Sequence, residues 1–131
     1  TVVVARDVVI RYRGAKDPLV AVADLLAARV EVEAGARPDA DRVDRAVQRH
    51  KRYPIVLYTA ACLAEEQGRR EEAANLYRRS FERGQDFSLA LVGFVGTARS
   101  SDKLVPAAAQ TYLRISPDGP HAAAMEKKVP R

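Results

Sequence analysis

The chain has 131 residues, of which 47% are hydrophobic and 30% are charged, with a formal net charge of +5. This length and balance are typical of one folded domain with a sizeable core. Charges such as Arg6 and Arg11 interrupt the apolar runs, so no run approaches the roughly 18 apolar residues of a membrane span. No segment has the pattern of a signal peptide. The single cysteine, Cys62, excludes an internal disulfide, which favours the cytoplasm, although bacterial cell-envelope proteins without disulfides keep that compartment open.

Residues 1–16 contain two conflicting patterns. They are rich in β-branched residues, which favours a strand. They also fit one face of a helix, through Val2, Ala5, Val9 and Tyr12. We expect this segment to be either an apolar arm packed on the first hairpin or the second helix of a preceding repeat. Because the chain begins with Thr1 rather than Met, we also expect it to be a processed product or a fragment of a longer protein.

The first predicted helix covers an apolar pattern from Leu19 to Ala34. Gly35 and Pro38 mark its end, since neither residue type continues a helix well. The face predicted to be buried is traced by Val22, Leu25, Leu26, Arg29 and Val30.

The second predicted helix runs from Asp41 to Arg52. The carboxylate of Asp39 or of Asp41 is a suitable N-cap, because it can accept hydrogen bonds from the orphan N–H groups of the first turn. We interpret the two helices as a divergent first hairpin with a long turn. The apolar stripe of the second helix is formed by Val43, Ala46 and Val47.

The stretch from Tyr53 to Gly84 predicts two short amphipathic helices joined at one glycine. Gly68 has no Cβ, so it can adopt the left-handed conformation that closes a helix. Glu71 and Glu72 then fall in the first turn of the next helix and Arg83 falls in its last turn, where these charges complement the helix dipole. The predicted buried faces are Leu57, Ala60, Ala61 and Ala64 on one helix and Ala73, Leu76, Tyr77 and Ser80 on the other.

A repeat of this pattern begins 34 residues further along the chain. Ala108 and Tyr112 reproduce Ala73 and Tyr77 with a shift of one residue. A proline-containing turn follows, and a short last helix is predicted from His121. The first face is reproduced by Leu91, Phe94, Val95 and Ala98.

With Gly68, Ala73 and Tyr77 in these places, the hairpin resembles the tetratricopeptide repeat (TPR), in which an alanine is followed four residues later by an aromatic residue. The resemblance covers residues 53–122, and their end, YLRISPDGPHA, resembles the end of many bacterial TPR arrays. It implies an all-α fold of stacked antiparallel helical hairpins in a right-handed solenoid. About three hairpins and a C-terminal helix would then form the domain over residues 17–131.

No enzymatic motif is recognisable in the sequence. It contains no HExxH, CxxC, GxGxxG or GxSxG, and His50 and His121 lie far apart without a nearby acidic or cysteine set. Cys62 lies among alanine and leucine residues near the middle of a predicted helix, so a buried or groove-lining thiol is favoured over a nucleophile. We therefore predict no catalytic residue, no metal site and no cofactor.

The resemblance instead implies a protein-interaction surface, because the first helices of stacked TPR hairpins line a concave groove that receives a peptide or a partner helix. Gly93 and Gly96 are unusual inside a helix, where each costs about 1 kcal/mol relative to alanine. Tight packing within the stack, or close approach of a partner backbone, would explain them. The predicted partner-binding residues are Tyr58, Thr59, Cys62, Glu65, Val92, Gly93, Gly96 and Arg99.

These residues differ from the pattern of chaperone-binding TPR proteins, which clamp a terminal carboxylate with lysine, asparagine and arginine. The matching faces here carry Tyr58, Cys62, Val92 and Arg99, so binding of a chaperone C-terminus is not expected. A partly apolar protein or peptide anchored by Tyr58 is predicted instead.

Two other functions stay open at this point. The net charge and a basic run favour nucleic acid, but acidic residues interrupt the run and no aromatic residue within it would stack on bases. The hairpins are alternatively an appendage through which a larger protein self-associates. The basic run comprises Arg42, Arg45, Arg49, His50, Lys51 and Arg52.

Overall fold

A computed structural model describes residues 17–84 and 87–130. The prediction for residues 1–16 lies outside this part of the chain. The described residues form seven helices and no strand, which confirms the all-α fold class. The helices are α1 (Pro18–Glu33), α2 (Ala40–Arg49), α3 (Pro54–Glu66), α4 (Arg70–Arg83), α5 (Ser88–Thr97), α6 (Leu104–Ile115) and α7 (Ala122–Glu126).

Each helix packs against the next in an antiparallel-like sequence. In addition, α1 contacts α3 and α3 contacts α5, so the first helices of successive hairpins touch. One hydrophobic core runs through all seven helices. The predicted buried faces of α3 and α4 are confirmed, and the largest fully buried side chains are Phe94, Leu25, Leu57, Leu63, Leu91, Val56 and Ser80.

The helix ends follow the capping residues that the sequence predicts. Asp39 is the N-cap of α2, and its carboxylate accepts a hydrogen bond from the N–H of Asp41 at 3.0 Å. Gly35 and Gly68 have φ values of 82° and 76°, and both close the preceding helix. At Gly68 the closure is a Schellman motif, in which the N–H of Arg69 donates to the carbonyl of Ala64 at 2.9 Å.

We expect Gly68→Val to destabilise the protein by about 1–2 kcal/mol, because a β-branched residue resists a positive φ. No atom lies within 4 Å of a Cβ built at Gly68, so the cost comes from the backbone conformation alone. The control is Gly68→Asn, which tolerates this conformation better and is expected to cost less. Urea denaturation measures both changes, and equal midpoints for the two variants would contradict the assigned cap.

Tyr77 of α4 and Tyr112 of α6, which occupy corresponding places in the repeat, each pack over a glycine. A Cβ built at Gly93 would lie 2.4 Å from Cε1 of Tyr77, and one at Gly119 would lie 2.4 Å from the hydroxyl of Tyr112. That hydroxyl also accepts a hydrogen bond from the N–H of His121 at 3.2 Å. The C-terminal turn is therefore held on Tyr112, and α7 begins one residue after His121, as predicted.

Two sequence predictions about the first hairpin are wrong in detail. The second helix ends at Arg49, so His50, Lys51 and Arg52 lie in a turn. Pro54 explains this, since the residue before a proline is disfavoured in the helical region and Tyr53 becomes the N-cap of α3.

The buried face of α1 is also rotated from the one predicted. Leu26, predicted on the packing face, is 43% exposed, whereas Leu25 is fully buried. Alanines fill most of the contact instead, because small side chains let α1 approach its neighbours closely. The buried residues of α1 are Ala21, Leu25, Ala27, Ala28 and Glu31.

Candidate functional site

Six of the eight predicted partner-binding residues, all except Thr59 and Arg99, follow helical spacing along α3 and α5, which touch each other. Together with two further apolar residues described below, they form what we call the first-helix face. It comprises Ile55, Tyr58, Cys62 and Glu65 of α3 and Leu89, Val92, Gly93 and Gly96 of α5.

Tyr58 stands at the centre of an aromatic cluster. Its ring centroid lies 5.2 Å from that of Phe87 in an edge-to-face arrangement and 5.8 Å from that of Tyr77. The side chain is half-buried and packs against the core. Tyr58 is absent from the buried face predicted for α3, yet the ring of Tyr77 from α4 and the ring of Phe87 just before α5 pack against it. Truncating Tyr58 will therefore lower the stability of the protein as well as remove part of the exposed surface.

The hydroxyl of Tyr77 lies beside Cys62 and Glu65 of α3. It donates a hydrogen bond to Oε1 of Glu65 at 2.7 Å and lies 3.5 Å from Sγ of Cys62. Burial, with the neighbouring Cys62 and Glu65, raises the pKa of Tyr77 well above its ordinary value. Burial also raises the pKa of Tyr58, and the neighbouring Cys62 adds to this shift. Both phenols therefore stay protonated at neutral pH and act as hydrogen-bond donors rather than as bases.

An ion pair ties α1 to the same side of α3. Nε of Arg29 lies 2.6 Å from Oε1 of Glu66, and the two side chains are 39% and 25% exposed. The hydrogen bond to Glu66 raises the pKa of Arg29. Because Arg29, predicted to face the α1 packing stripe, reaches α3 in this way, it fixes one edge of the first-helix face.

The two glycines of α5 differ in their surroundings. The space above Gly93 is filled by the ring of Tyr77, so the close approach comes from within the domain rather than from a partner backbone. Gly96 is exposed, and no atom lies within 4 Å of a Cβ built there. Its carbonyl accepts a hydrogen bond from Arg70 at 2.7 Å.

Two predicted residues lie away from the aromatic cluster. Thr59 is 5% exposed, and its hydroxyl donates to the carbonyl of Ile55 at 2.7 Å, so it belongs to the interior and not to the surface. Arg99 lies in the turn after α5 and pairs with Glu71 of α4. The ten residues of α5, which span about 15 Å at 1.5 Å per residue, separate Arg99 from Phe87, whose ring touches Tyr58.

Sequence analysis missed two exposed apolar residues on this surface. Ile55 is 40% exposed and precedes Tyr58 by one turn of α3, and Leu89 is 51% exposed and precedes Val92 by one turn of α5. The signal was present, because Ile55 and Leu89 are separated by the same 34 residues as the repeat. Ile55 lies one turn before Tyr58 on α3, and Leu89 lies two residues after Phe87, whose ring contacts Tyr58; we call these four residues the apolar patch.

The basic run proposed for nucleic acid does not form one helical surface. Its first member, Arg42, makes an ion pair with Asp24 of α1, and its last three members lie in the turn before α3. A helix-borne stripe of six basic residues is therefore absent from the described structure.

Within the described ranges, no group of three or more His, Cys, Asp and Glu side chains is arranged to hold a metal ion. None of the helices there has the length and apolar character that crossing a membrane requires.

Comparisons with protein-family models, with curated proteins and with solved structures find no match to this chain. Its interpretation therefore depends on its own residues and contacts.

Proposed function

We propose that the chain is a non-catalytic protein-interaction module built from TPR-like hairpins. The contact pattern supports this, since α1 contacts α3, α3 contacts α5, and the second helices α2 and α4 each contact the following first helix. These are the contacts that a stack of hairpins requires. The buried pairs Ala73 with Tyr77 and Ala108 with Tyr112 occupy corresponding places in α4 and α6.

The single observation that carries the proposal is the apolar patch around Tyr58. Exposed large apolar residues that are contiguous on a surface mark interaction sites more often than scattered ones do. Here Ile55 and Leu89 flank a tyrosine whose ring is already held by Phe87 and Tyr77. A held aromatic side chain loses little conformational entropy on binding, which is the property of an interface anchor.

The chemistry of the cluster favours binding over catalysis. Tyr58 and Tyr77 are protonated at neutral pH, and Glu65 already accepts a hydrogen bond from Tyr77. Neither phenol can therefore accept a proton in that range, and Cys62 has no imidazole described near it to activate the thiol. The partner that fits is a protein segment with apolar side chains for the patch at Ile55 and Leu89.

We expect Leu89→Asp to weaken partner capture by about tenfold or more, because it places a charge in the centre of an apolar contact. The measurement is quantitative mass spectrometry of proteins retained from an extract of the source cell. Ile55→Asp should remove the same proteins from the retained set. Both side chains are largely exposed, so melting temperatures should change little.

The matched control is Leu104→Asp. Leu104 is 42% exposed at the start of α6 and lies outside the first-helix face. Proteins that are lost equally with Leu104→Asp are retained non-specifically. A retained set that is unchanged by both Leu89→Asp and Ile55→Asp would show that the first-helix face is not the binding surface.

A further inference from the structure

A second candidate site lies on the side of α3 that is opposite to the first-helix face. It is a groove of about 170 Å³ between α2 and α4, with Leu63 and Ala64 of α3 as its floor and with Val47 and Leu76 in its walls. Small-molecule sites usually measure about 300–1,000 Å³, so this groove accommodates one side chain rather than a cofactor. At 100° per residue, Leu63 and Ala64 point away from the first-helix face.

Arg79 lines this groove without a partner. Its side chain is half-buried, and no hydrogen bond or ion pair joins it to any other residue in the described ranges. The adjacent Arg78 is different, since it lies 3.2 Å from Glu82 and 2.7 Å from Asn75. Two carboxylates also line the groove, but Asp44 lies beyond ion-pair distance of Arg79 and Glu72 pairs with Arg69 at 3.2 Å. The half-buried guanidinium of Arg79 is therefore paired with neither of them and can hold an incoming anion.

The end of the groove next to Arg79 is basic. Arg83 follows one turn later on α4, and α4 ends beside the start of α3, where the hydroxyl of Ser80 donates to the carbonyl of Pro54 at 2.7 Å. Lys51 and Arg52 lie in the turn that leads into Pro54, so they belong to the same end. None of these three cations forms an ion pair with a carboxylate among the residues that the structure describes.

We propose that this groove binds an acidic segment of a protein partner, with one Asp or Glu side chain entering between α2 and α4 and pairing with Arg79. The aliphatic walls fit the methylene groups of such a side chain, and the guanidinium can hold its carboxylate by two parallel hydrogen bonds. Further acidic residues of the segment meet Lys51, Arg52 and Arg83. A nucleic acid fits less well, because no aromatic residue lines the groove to stack on a base.

The test begins with a displayed library of random 12-residue peptides selected on the immobilised protein. Selected peptides should be enriched in Asp and Glu next to aliphatic residues. Labelled copies of them are then titrated by fluorescence anisotropy against wild type, Arg79→Glu and Arg78→Glu. Arg79→Glu should weaken the Kd by about tenfold or more, and Arg78→Glu should change it by less than about twofold. A peptide with Lys at the inserted position should recover binding to Arg79→Glu.

Circular dichroism of both variants checks that each is folded, and Arg79 makes no hydrogen bond or ion pair within the described residues whose loss would unfold the protein. The proposal is overturned if no acidic sequences are enriched, or if Arg78→Glu and Arg79→Glu weaken binding equally. A random-sequence duplex that binds more tightly than the peptides and depends on Arg79 would overturn it in favour of nucleic acid. Self-association lost in Arg79→Glu would overturn it in favour of a second copy. Leu89→Asp should leave peptide binding intact, so this test is independent of the first-helix face.

Discussion

Replacing Gly93 with alanine is expected to destabilise the protein by about 1–3 kcal/mol, because the new Cβ would overlap a buried ring. It would lie 2.4 Å from Cε1 of Tyr77, whose side chain is 3% exposed and is wedged between helices. The ring cannot move aside easily, since its hydroxyl is hydrogen-bonded to Glu65 and its face touches Tyr58. Thermal and urea unfolding followed by circular dichroism measure the change.

The control for this prediction lies one turn along the same helix. Gly96→Ala has open space around its Cβ, so it should be neutral or should stabilise by up to about 1 kcal/mol through helix propensity. A double-mutant cycle isolates the cause. In a Tyr77→Leu background the cost of Gly93→Ala should fall, because Cε1 and Cζ, two of the three ring atoms that the new Cβ overlaps, are gone and the remaining side chain is flexible. A cost that persists unchanged in that background would mean that the ring of Tyr77 is not what excludes a side chain at position 93.

Local chemistry explains which parts of the fold the sequence predicts well. The turn at Gly68 and the cap at Asp39 depend on backbone conformation and on hydrogen bonds within a few residues, so they are readable from the chain alone. The buried face of α4 is equally readable, because that helix is amphipathic with a regular apolar spacing. The predicted face of α3 is buried as well, but α3 also buries Val56, Thr59 and Leu63, since neighbours cover more of its circumference. In α1 the apolar residues exceed what one face can bury, and the choice of Leu25 over Leu26 depends on neighbours that a single sequence does not reveal.

The candidate sites depend more strongly on tertiary contacts. Thr59 is predicted to bind a partner because it lies on a first helix outside the apolar spacing, yet its hydroxyl donates to the carbonyl of Ile55, which permits burial. Tyr58 is predicted as the anchor for a partner, and the sequence does not reveal that the ring of Phe87, from the next hairpin, packs against it. Arg78 and Arg79 are adjacent and chemically identical. Only the packing of α2 against α3 places the second beside a groove, where no carboxylate pairs with it.

The repeat interpretation itself is tested at Ala73, which is fully buried between helices. Ala73→Leu should destabilise the protein by about 1–3 kcal/mol, because an interior packed to crystal-like density has no room for three more carbon atoms. The midpoint of thermal unfolding should fall by several degrees, at about 4 °C or more per kcal/mol for a domain of this size.

The neighbouring Ala74→Leu is the matched control, since it adds the same atoms to the same helix. Ala74 is only partly buried and borders an open groove between α4 and the turn after α5, so a larger side chain can extend into that space. Its effect should stay within about 0.5 kcal/mol. Ala108 holds the corresponding place in α6 and is 3% exposed, so Ala108→Leu should repeat the loss seen at Ala73. If Ala73→Leu and Ala74→Leu cost the same, no close helix crossing exists at Ala73, and the alignment of the two hairpins loses its physical basis.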